Sequence, residues 1–378
     1  MPDKHSVLSP SSSPRWYNCQ RSARLCEQVP DEGSVYAAEG TEAHALCEYL
    51  LKKELGLGTG LVDPRPSMQY YTPDMEEAAS GYVQYILEKV EAFRASGVSP
   101  VVYVEQLLDL RSYVPQSAGT ADCVVLAGDT AMIIDFKYGF LPVSASSLQL
   151  RLYALGVCEM FSALYDFTRV RMAIYQPRLS SVDEAEMTVE DLYSWARSEL
   201  APRAKLAFDG AGEFACGDWC RFCKVRRNCR ALAKYQLELA QYEFKEPELL
   251  SDSEIASILS RVDDLITWAG GVKEYALSEA LRGHEYPGFK VVPGRAYRRF
   301  SDDAEVAARV CGIGMDPWEK KLLGVTALEK MLGKKQFGSL LSDLVIRPEG
   351  KPTLVPDSDK REAMFSASAD FADVVSDE

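Results

Sequence analysis

Three stretches of the chain carry side chains whose types and spacing suit chemistry. Asp135 and Lys137 close an apolar run, Met132-Ile133-Ile134, and stand two residues apart. In an extended strand they share one face. Asp122 lies in the segment before, Gly119-Thr-Ala-Asp-Cys-Val-Val-Leu-Ala-Gly128. A charged pair ending a buried strand, facing another strand's carboxylate, is costly unless something neutralises it. A divalent cation held by two carboxylates and water does so, and the lysine then orients or deprotonates that water. The alternative is a plain Asp122–Lys137 salt bridge at a strand end. Glu105 is a further carboxylate candidate, or an exposed edge glutamate.

The second stretch is rich in thiols. Cys216, Cys220, Cys223 and Cys229 fall within 14 residues, the last three as C-x2-C-x5-C. Thiolates so spaced ligate zinc or iron–sulfur, and the local four can close a zinc site alone. Around them Arg221, Lys224, Arg226, Arg227, Arg230 and Lys234 carry six positive charges with no acid between. That is a phosphate-contacting patch or a solvated helix face. Trp16, Tyr17, Trp219 and Phe222 either pack over the cysteines or stack on bases. Cys26, Cys47, Cys123, Cys158 and Cys311 read as small buried residues. The third feature is His44, one of only three histidines, in an apolar-faced helical stretch.

These residues sit in a chain of 378 with 47% hydrophobic and 26% charged residues and a mean hydropathy of -0.16, which excludes wholesale disorder. No stretch approaches the roughly 18–20 consecutive apolar residues of a membrane span, and no early apolar run has signal-peptide length. A cytoplasmic protein with no membrane partner is expected, and ten cysteines there are not disulfides. The 42 basic against 56 acidic residues leave a net charge of -14. That disfavours a passive nucleic-acid coat but not an enzyme with a local basic groove.

The elements that must position the site follow from periodicity. Helices are expected over 40–57 and 74–96, and strands over 101–110, 119–128 and 131–139, the last two forming an antiparallel hairpin through Gly128-Asp129. A helix over 144–161, a strand over 168–177 and a long helix over 187–208 follow. Residues 1–18 read as irregular, residues 230–282 as helical with a break at Gly270-Gly271, and 357–378 as a solvated acidic tail. The result is an α/β (α+β) fold, a mixed sheet flanked by helices.

The pattern D…(D/E)-x-K across a β-hairpin, followed by a helix, resembles the PD-(D/E)XK nuclease superfamily and its restriction-endonuclease-like core. Gln149 and Tyr153 on the next helix, one turn apart, resemble the Q-x-x-x-Y signature of its RecB-like exonuclease branch. His44 in G-T-E-A-H also fits that branch, where an upstream helical histidine is a metal ligand. An iron–sulfur subset, including bacterial helicase-nuclease subunits of the AddB type and CRISPR-adaptation nucleases, joins one N-terminal cysteine to a C-terminal C-x2-C-x5-C. By that resemblance Cys19, Cys220, Cys223 and Cys229 hold a [4Fe-4S] cluster, with Cys216 as the alternative fourth ligand and Zn²⁺ as the alternative metal.

Further segments resemble a phage and prophage family of RecB-like proteins of formerly unknown function. They are S-P-R-W-Y-N-C, A-E-G-T-E-A-H, D-F-K-Y-G, C-R-F-C-K-V-R-R-N-C, Y-P-G-F-K-V-V-P-G-R, K-P-T-L-V-P, S-D-K-R and A-D-F-A. One departure is Asp135, where many relatives carry Glu. The resemblance implies a Mg²⁺- or Mn²⁺-dependent deoxyribonuclease, an exonuclease acting on DNA ends or single strands in phage replication or recombination. The implied metal ligands are His44, Asp122, Asp135 and the Phe136 carbonyl. The implied catalytic set is Lys137, Asp122, Asp135, Gln149 and Tyr153, with Glu105 behind them. Arg221, Lys224, Arg226, Arg227 and Arg230 are the DNA-binding candidates. The alternative is a non-catalytic recombination mediator or adaptor on the same scaffold, and the acidic tail suits a single-strand-binding or recombination partner. The implied domains are residues 1–245 (nuclease), 246–356 (α-rich extension) and 357–378 (tail).

Overall fold

The computed structural model describes residues 6–30, 33–58, 60–240, 252–292, 311, 325–341 and 344–345. His5, Arg295, Arg298, Arg299 and the tail over 357–378 lie outside them, as does the domain boundary expected at 245. The chain divides into two compact units, Met1–Ser278 and Glu279–Glu378.

The first unit opens with short helices α1 (Ser13–Asn18) and α2 (Ser22–Glu27), then α3 (Val35–Glu54) and α4 (Pro73–Ala95). Strands β1 (Val101–Asp109), β2 (Ala118–Ala127) and β3 (Thr130–Phe136) lead to α5 (Leu148–Phe161). Then come β4 (Arg169–Gln176), β5 (Ser181–Thr188), α6 (Val189–Trp195) and α7 (Ala201–Phe208), and after the cysteine segment α8 (Arg230–Ala240) and α9 (Asp252–Leu281). Among the described residues of the second unit are two short helices, Val325–Leu332 and Lys334–Leu341.

The five strands form one mixed sheet in the order β1-β2-β3-β4-β5. All neighbours are antiparallel except β3 and β4, which run parallel. A parallel step needs a crossover, and α5 supplies it. Side-chain alternation then makes two cores. Val124, Leu126, Ile133 and Ile174 pack with α5, α6 and the N-terminal segment. Cys123, Val125, Met132, Ile134 and Phe136 pack with α3 and α4. β3 is buried over its whole length, as its unbroken apolar run requires.

Capping explains the helix starts. Thr72 and Ser147 each accept a backbone N–H of the first turn of α4 and α5, and Thr188 does so for α6, satisfying donors that the helix leaves unpaired. The helix expected from 144 begins at Leu148 because Ser144 and Ala145 bond instead to the Asp183 carboxylate (3.1 and 2.7 Å). The long helix expected over 187–208 is interrupted by a π turn, Ala196–Leu200, just ahead of Pro202, a residue that cannot donate to the ladder.

Three expectations are corrected. Residues 10–18, taken as irregular, form a 3₁₀ turn and α1, because Leu8 and Trp16 are fully buried and pull them onto the core. β5 was not foreseen: Asp183, Glu184 and Glu186 mask the short alternation of Ala185 and Met187, and pairing with β4 makes it a charged sheet edge. α9 runs through Gly270-Gly271 without a break; there Gly271 leaves room for the Arg227 side chain, whose Cγ stands 3.4 Å from where a Cβ would lie.

α5 meets β1 closely at Gly156, where an added Cβ would stand 2.9 Å from Leu108 Cβ. In an ordinary helix interior Gly→Ala stabilises by about 0.5–1 kcal/mol. Here the overpacking reverses the sign, and Gly156→Ala is expected to lose about 1–3 kcal/mol. Denaturant unfolding checks this; a raised midpoint would show that α5 has room to spare.

Candidate metal centre and cysteine pocket

The charged site lies where β3 ends between the two cores. Asp135 continues the face of Ile133, toward α5, and its side chain is only 2% exposed. Lys137 Nζ stands 2.6 Å from Asp135 Oδ2, but off the direction of a hydrogen bond, so that buried oxygen has no directed donor. The ladder reaches one residue past β3, since Lys137 N–H donates to the Tyr175 carbonyl at 3.0 Å. The salt bridge considered between Asp122 and Lys137 is not formed; the lysine pairs with Asp135.

Asp122 stands on β2 one residue beyond the paired Cys123 and Ile134. Its Oδ2 accepts the Phe136 N–H at 2.8 Å and lies 3.3 Å from His44 Nδ1. Phe136 thus reaches the site through its N–H. Glu105 adopts a left-handed backbone (φ 53) in β1, at the position where the ladder between Val104↔Cys123 and Gln106↔Ala121 is interrupted. Strain of this kind in a non-glycine residue is characteristic of functional sites. It brings Glu105 to His44 and Asp122, whose ligand atoms all lie within 4.8 Å of one another. Among the described residues this is the one His/Cys/Asp/Glu trio so close, and Asp135 is not part of it.

α3 is oriented by acids that flank His44. Glu39 forms a two-pronged pair with Arg178, whose guanidinium lies over the Tyr138 ring at 3.8 Å. Glu42 accepts the N–H groups of Gln69 and Tyr70 at 2.8 and 2.7 Å. Tyr82 on α4 donates to the Ile134 carbonyl at 3.0 Å and packs edge-on to Phe136. None of these four was read as a site residue. The acids at a three-residue spacing in A-E-G-T-E-A-H were the available signal for two of them, whereas Arg178 and Tyr82 carry no local pattern. On α5, Gln149 Nε2 donates to the Tyr153 hydroxyl at 3.0 Å, and Gly119 lets β2 pass beneath Tyr153, 2.9 Å from Cε1 at its absent Cβ.

Burial and charge divide the protons. Burial alone would neutralise Asp122, but the charges of His44 and Lys137 outweigh it and lower its pKa. Burial, with Asp122 adding, raises Asp135 despite Lys137. Burial disfavours the Lys137 ammonium, yet Asp135 and Asp122 hold its pKa above the ordinary value. His44 is likewise raised, the two aspartates overcoming burial. Burial, then the charges of Asp122 and Glu48, push Glu105 up to about 7.

The cysteine segment folds back on the N-terminus. Cys19, Cys216, Cys220, Cys223 and Cys229 line one pocket with Arg15 and Trp219. Cys216 and Cys220 interact with one another and with Cys19 and Cys229. Cys223 instead shares a hydrogen bond with Cys26, Sγ to Sγ 3.7 Å. Trp16 and Tyr17 are core residues, Trp16 bonding the Ser9 carbonyl and Tyr17 bonding Glu199. Part of the basic patch is neutralised from outside its own segment, where Arg227 pairs with Glu274 of α9 at 2.9 Å; Arg226 bonds the Arg221 carbonyl within it. Arg221, Lys224 and Arg230 are exposed.

Residues 5–362 match the family described as "Protein of unknown function (DUF2800)". Among solved structures, the one described as "Crystal structure of SSO0001" is 15% identical over 56% of this chain and 93% of that chain, with a TM-score of 0.25. A score that low carries no argument. No helix among the described residues is long and apolar enough to cross a membrane.

The raised Glu105 pKa has a defined sign. The folded, metal-free protein binds more protons than the unfolded chain between the ordinary glutamate range and about pH 7, so stability falls as pH rises through that window. Glu105→Gln lacks this loss. In metal-free thermal melts the variant is expected to gain on wild type from pH 5 to pH 8; a gap that stays constant would show that Glu105 titrates normally.

Proposed function

Because the chain belongs to the DUF2800 family, a family of unknown function, its activity must be read from the site, and we propose that it hydrolyses DNA phosphodiesters with Mg²⁺ or Mn²⁺. The observation that carries this reading is the His44–Glu105–Asp122 trio beside the Lys137–Asp135 pair. The sheet order, with its antiparallel β1-β2-β3 and parallel β4, accords with the PD-(D/E)XK-like core that the motifs resemble.

The donor set fits a hard or borderline divalent cation, since carboxylate oxygens and one imidazole nitrogen converge and the undirected Asp135 oxygen lies nearby. When bound, such a cation supplies Lewis acidity and a water of lowered pKa. Lys137, kept as an ammonium, presents positive charge to the phosphate where negative charge accumulates in the transition state. That makes it an electrostatic and orienting group rather than a proton acceptor. Asp135 holds it in place. Gln149 and Tyr153 offer an amide and a hydroxyl for the phosphate backbone. Exposed Arg221, Lys224 and Arg230 serve phosphates without reading bases. DNA ends or single strands, in a phage replication or recombination setting, are the substrate class.

The cysteine pocket fits a thiolate-bound group. Cys19 lines the pocket together with Cys220, Cys223 and Cys229, which accords with the iron–sulfur ligation that the motif resembles. Such a cluster joins Cys19 to the end of the nuclease unit, a closure of about 200 residues whose loop entropy is large.

Activity on linear and single-stranded DNA is expected to require Mg²⁺ or Mn²⁺. It should fall by about 100- to 10,000-fold in Lys137→Ala and Asp122→Ala. Calorimetric Mn²⁺ binding should be lost in Asp122→Ala and kept in Lys137→Ala. Cleavage by both variants at the wild-type rate would refute the assignment. Separately, anaerobic purification is expected to yield a brown protein absorbing near about 400 nm with about four irons per chain; one zinc and no iron would replace the cluster by a local zinc site.

A further inference from the structure

More thiols converge on the N-terminal junction than a four-ligand cluster uses. Cys19, Cys216, Cys220, Cys223 and Cys229 line the pocket, and Cys26 of α2, which does not line it, stands behind Cys223 at 3.7 Å. Cys26 is 4% exposed and Cys223 is half-buried. Both are free thiols. The two belong to segments 197 residues apart, so their approach is a product of the fold. A disulfide needs its sulfurs at about 2.05 Å, so the two must close from 3.7 Å.

We propose that Cys26 and Cys223 form an oxidisable dithiol that withdraws Cys223 from the pocket. The withdrawal from a bound metal rests on the thiolate-ligated reading of that pocket; the dithiol itself rests on the geometry alone. A hydroperoxide oxidises one sulfur of the pair. That sulfur attacks the terminal oxygen, the O–O bond breaks, and its thiol proton leaves with the other oxygen as an alcohol, or as water for hydrogen peroxide. The sulfenic acid so formed is attacked by the second sulfur, 3.7 Å away. The S–S bond forms and the sulfenic hydroxide leaves as water with the second thiol's proton. Two thiols lose two protons and two electrons, and the peroxide takes them up. Cys216 then stands beside Cys19, Cys220 and Cys229 as the thiol that could replace Cys223.

The test is titration of the full-length, as-purified protein with hydrogen peroxide, read by peptide mass spectrometry without reduction and by iron and zinc analysis. A Cys26–Cys223 cross-linked peptide is expected as the dominant product. It should be reversed by dithiothreitol and absent in Cys26→Ser, and bound metal should fall in step with it in wild type. Before oxidation Cys26→Ser should hold as much metal as wild type, because Cys26 lies outside the pocket. A different dominant disulfide, or none, overturns the proposal. So does loss of metal from unoxidised Cys26→Ser, which would make Cys26 a ligand. Full retention of metal beside a complete Cys26–Cys223 bond overturns the withdrawal, by excluding Cys223 as a ligand. If the purified protein holds neither iron nor zinc, the cofactor reading fails, while the peptide map still decides the dithiol.

Discussion

A carboxylate that is 2% exposed at the end of an entirely buried strand is the constraint from which the site's architecture follows. β3 must be apolar along its length because helices cover both of its faces. Asp135 and Lys137 therefore pair at the strand's end, where the Lys137 side chain still reaches solvent. Their attraction offsets the cost of desolvation only with near-perfect partners, and one Asp135 oxygen lacks a directed donor. Asp122, Glu105 and His44 stand beside this pair, so the strand end gathers three carboxylates, an imidazole and an ammonium.

The rest of the first unit positions that charge. Glu39, through Arg178, and Glu42, through the Gln69 and Tyr70 N–H groups, hold α3 at the helical turn that presents His44. Gly119 and Gly156 let α5 lie close on β1 and β2, which sets Gln149 and Tyr153 over the strand that carries Asp122. The strained Glu105 backbone interrupts the β1–β2 ladder next to the same aspartate. Three layers thus meet at one strand end, each through a different kind of contact: ion pair, close packing and backbone distortion.

The cysteine segment and the N-terminus form a second focus, built on the same unit by packing rather than by the sheet. Leu8, Trp16 and Tyr17 anchor the first helices in the α5-side core, and this brings Cys19 and Cys26 to a segment about 200 residues later in the chain. The basic residues there are divided by their surroundings. Glu274 takes Arg227, while Arg221, Lys224 and Arg230 stay exposed. Charge counted along the segment overstates the field that a phosphate would meet, because α9 returns an acid to it.

Much of this was legible in the sequence because it is local. Apolar runs and turn residues delimit β1, β2, β3, β4, α4 and the Gly128-Asp129 hairpin to within a few residues. Period-two spacing places Asp135 and Lys137 on one face, and C-x2-C-x5-C marks a cysteine-lined pocket. Other features needed the fold, since they depend on pairings distant in the chain. β5 is a strand because β4 offers it a partner and the core takes Ala185 and Met187. Residues 10–18 are ordered because Trp16 finds a buried place. Lys137 chooses Asp135 over Asp122 because the ladder continues to Tyr175. Glu105 becomes a companion of His44 through a backbone angle that no composition reveals, and Cys26 acquires Cys223. Residue type and spacing set which groups can do chemistry, because strand and helix periods are local properties. Which of those groups meet is decided by tertiary packing, because contact energy depends on neighbours that the chain brings from far away.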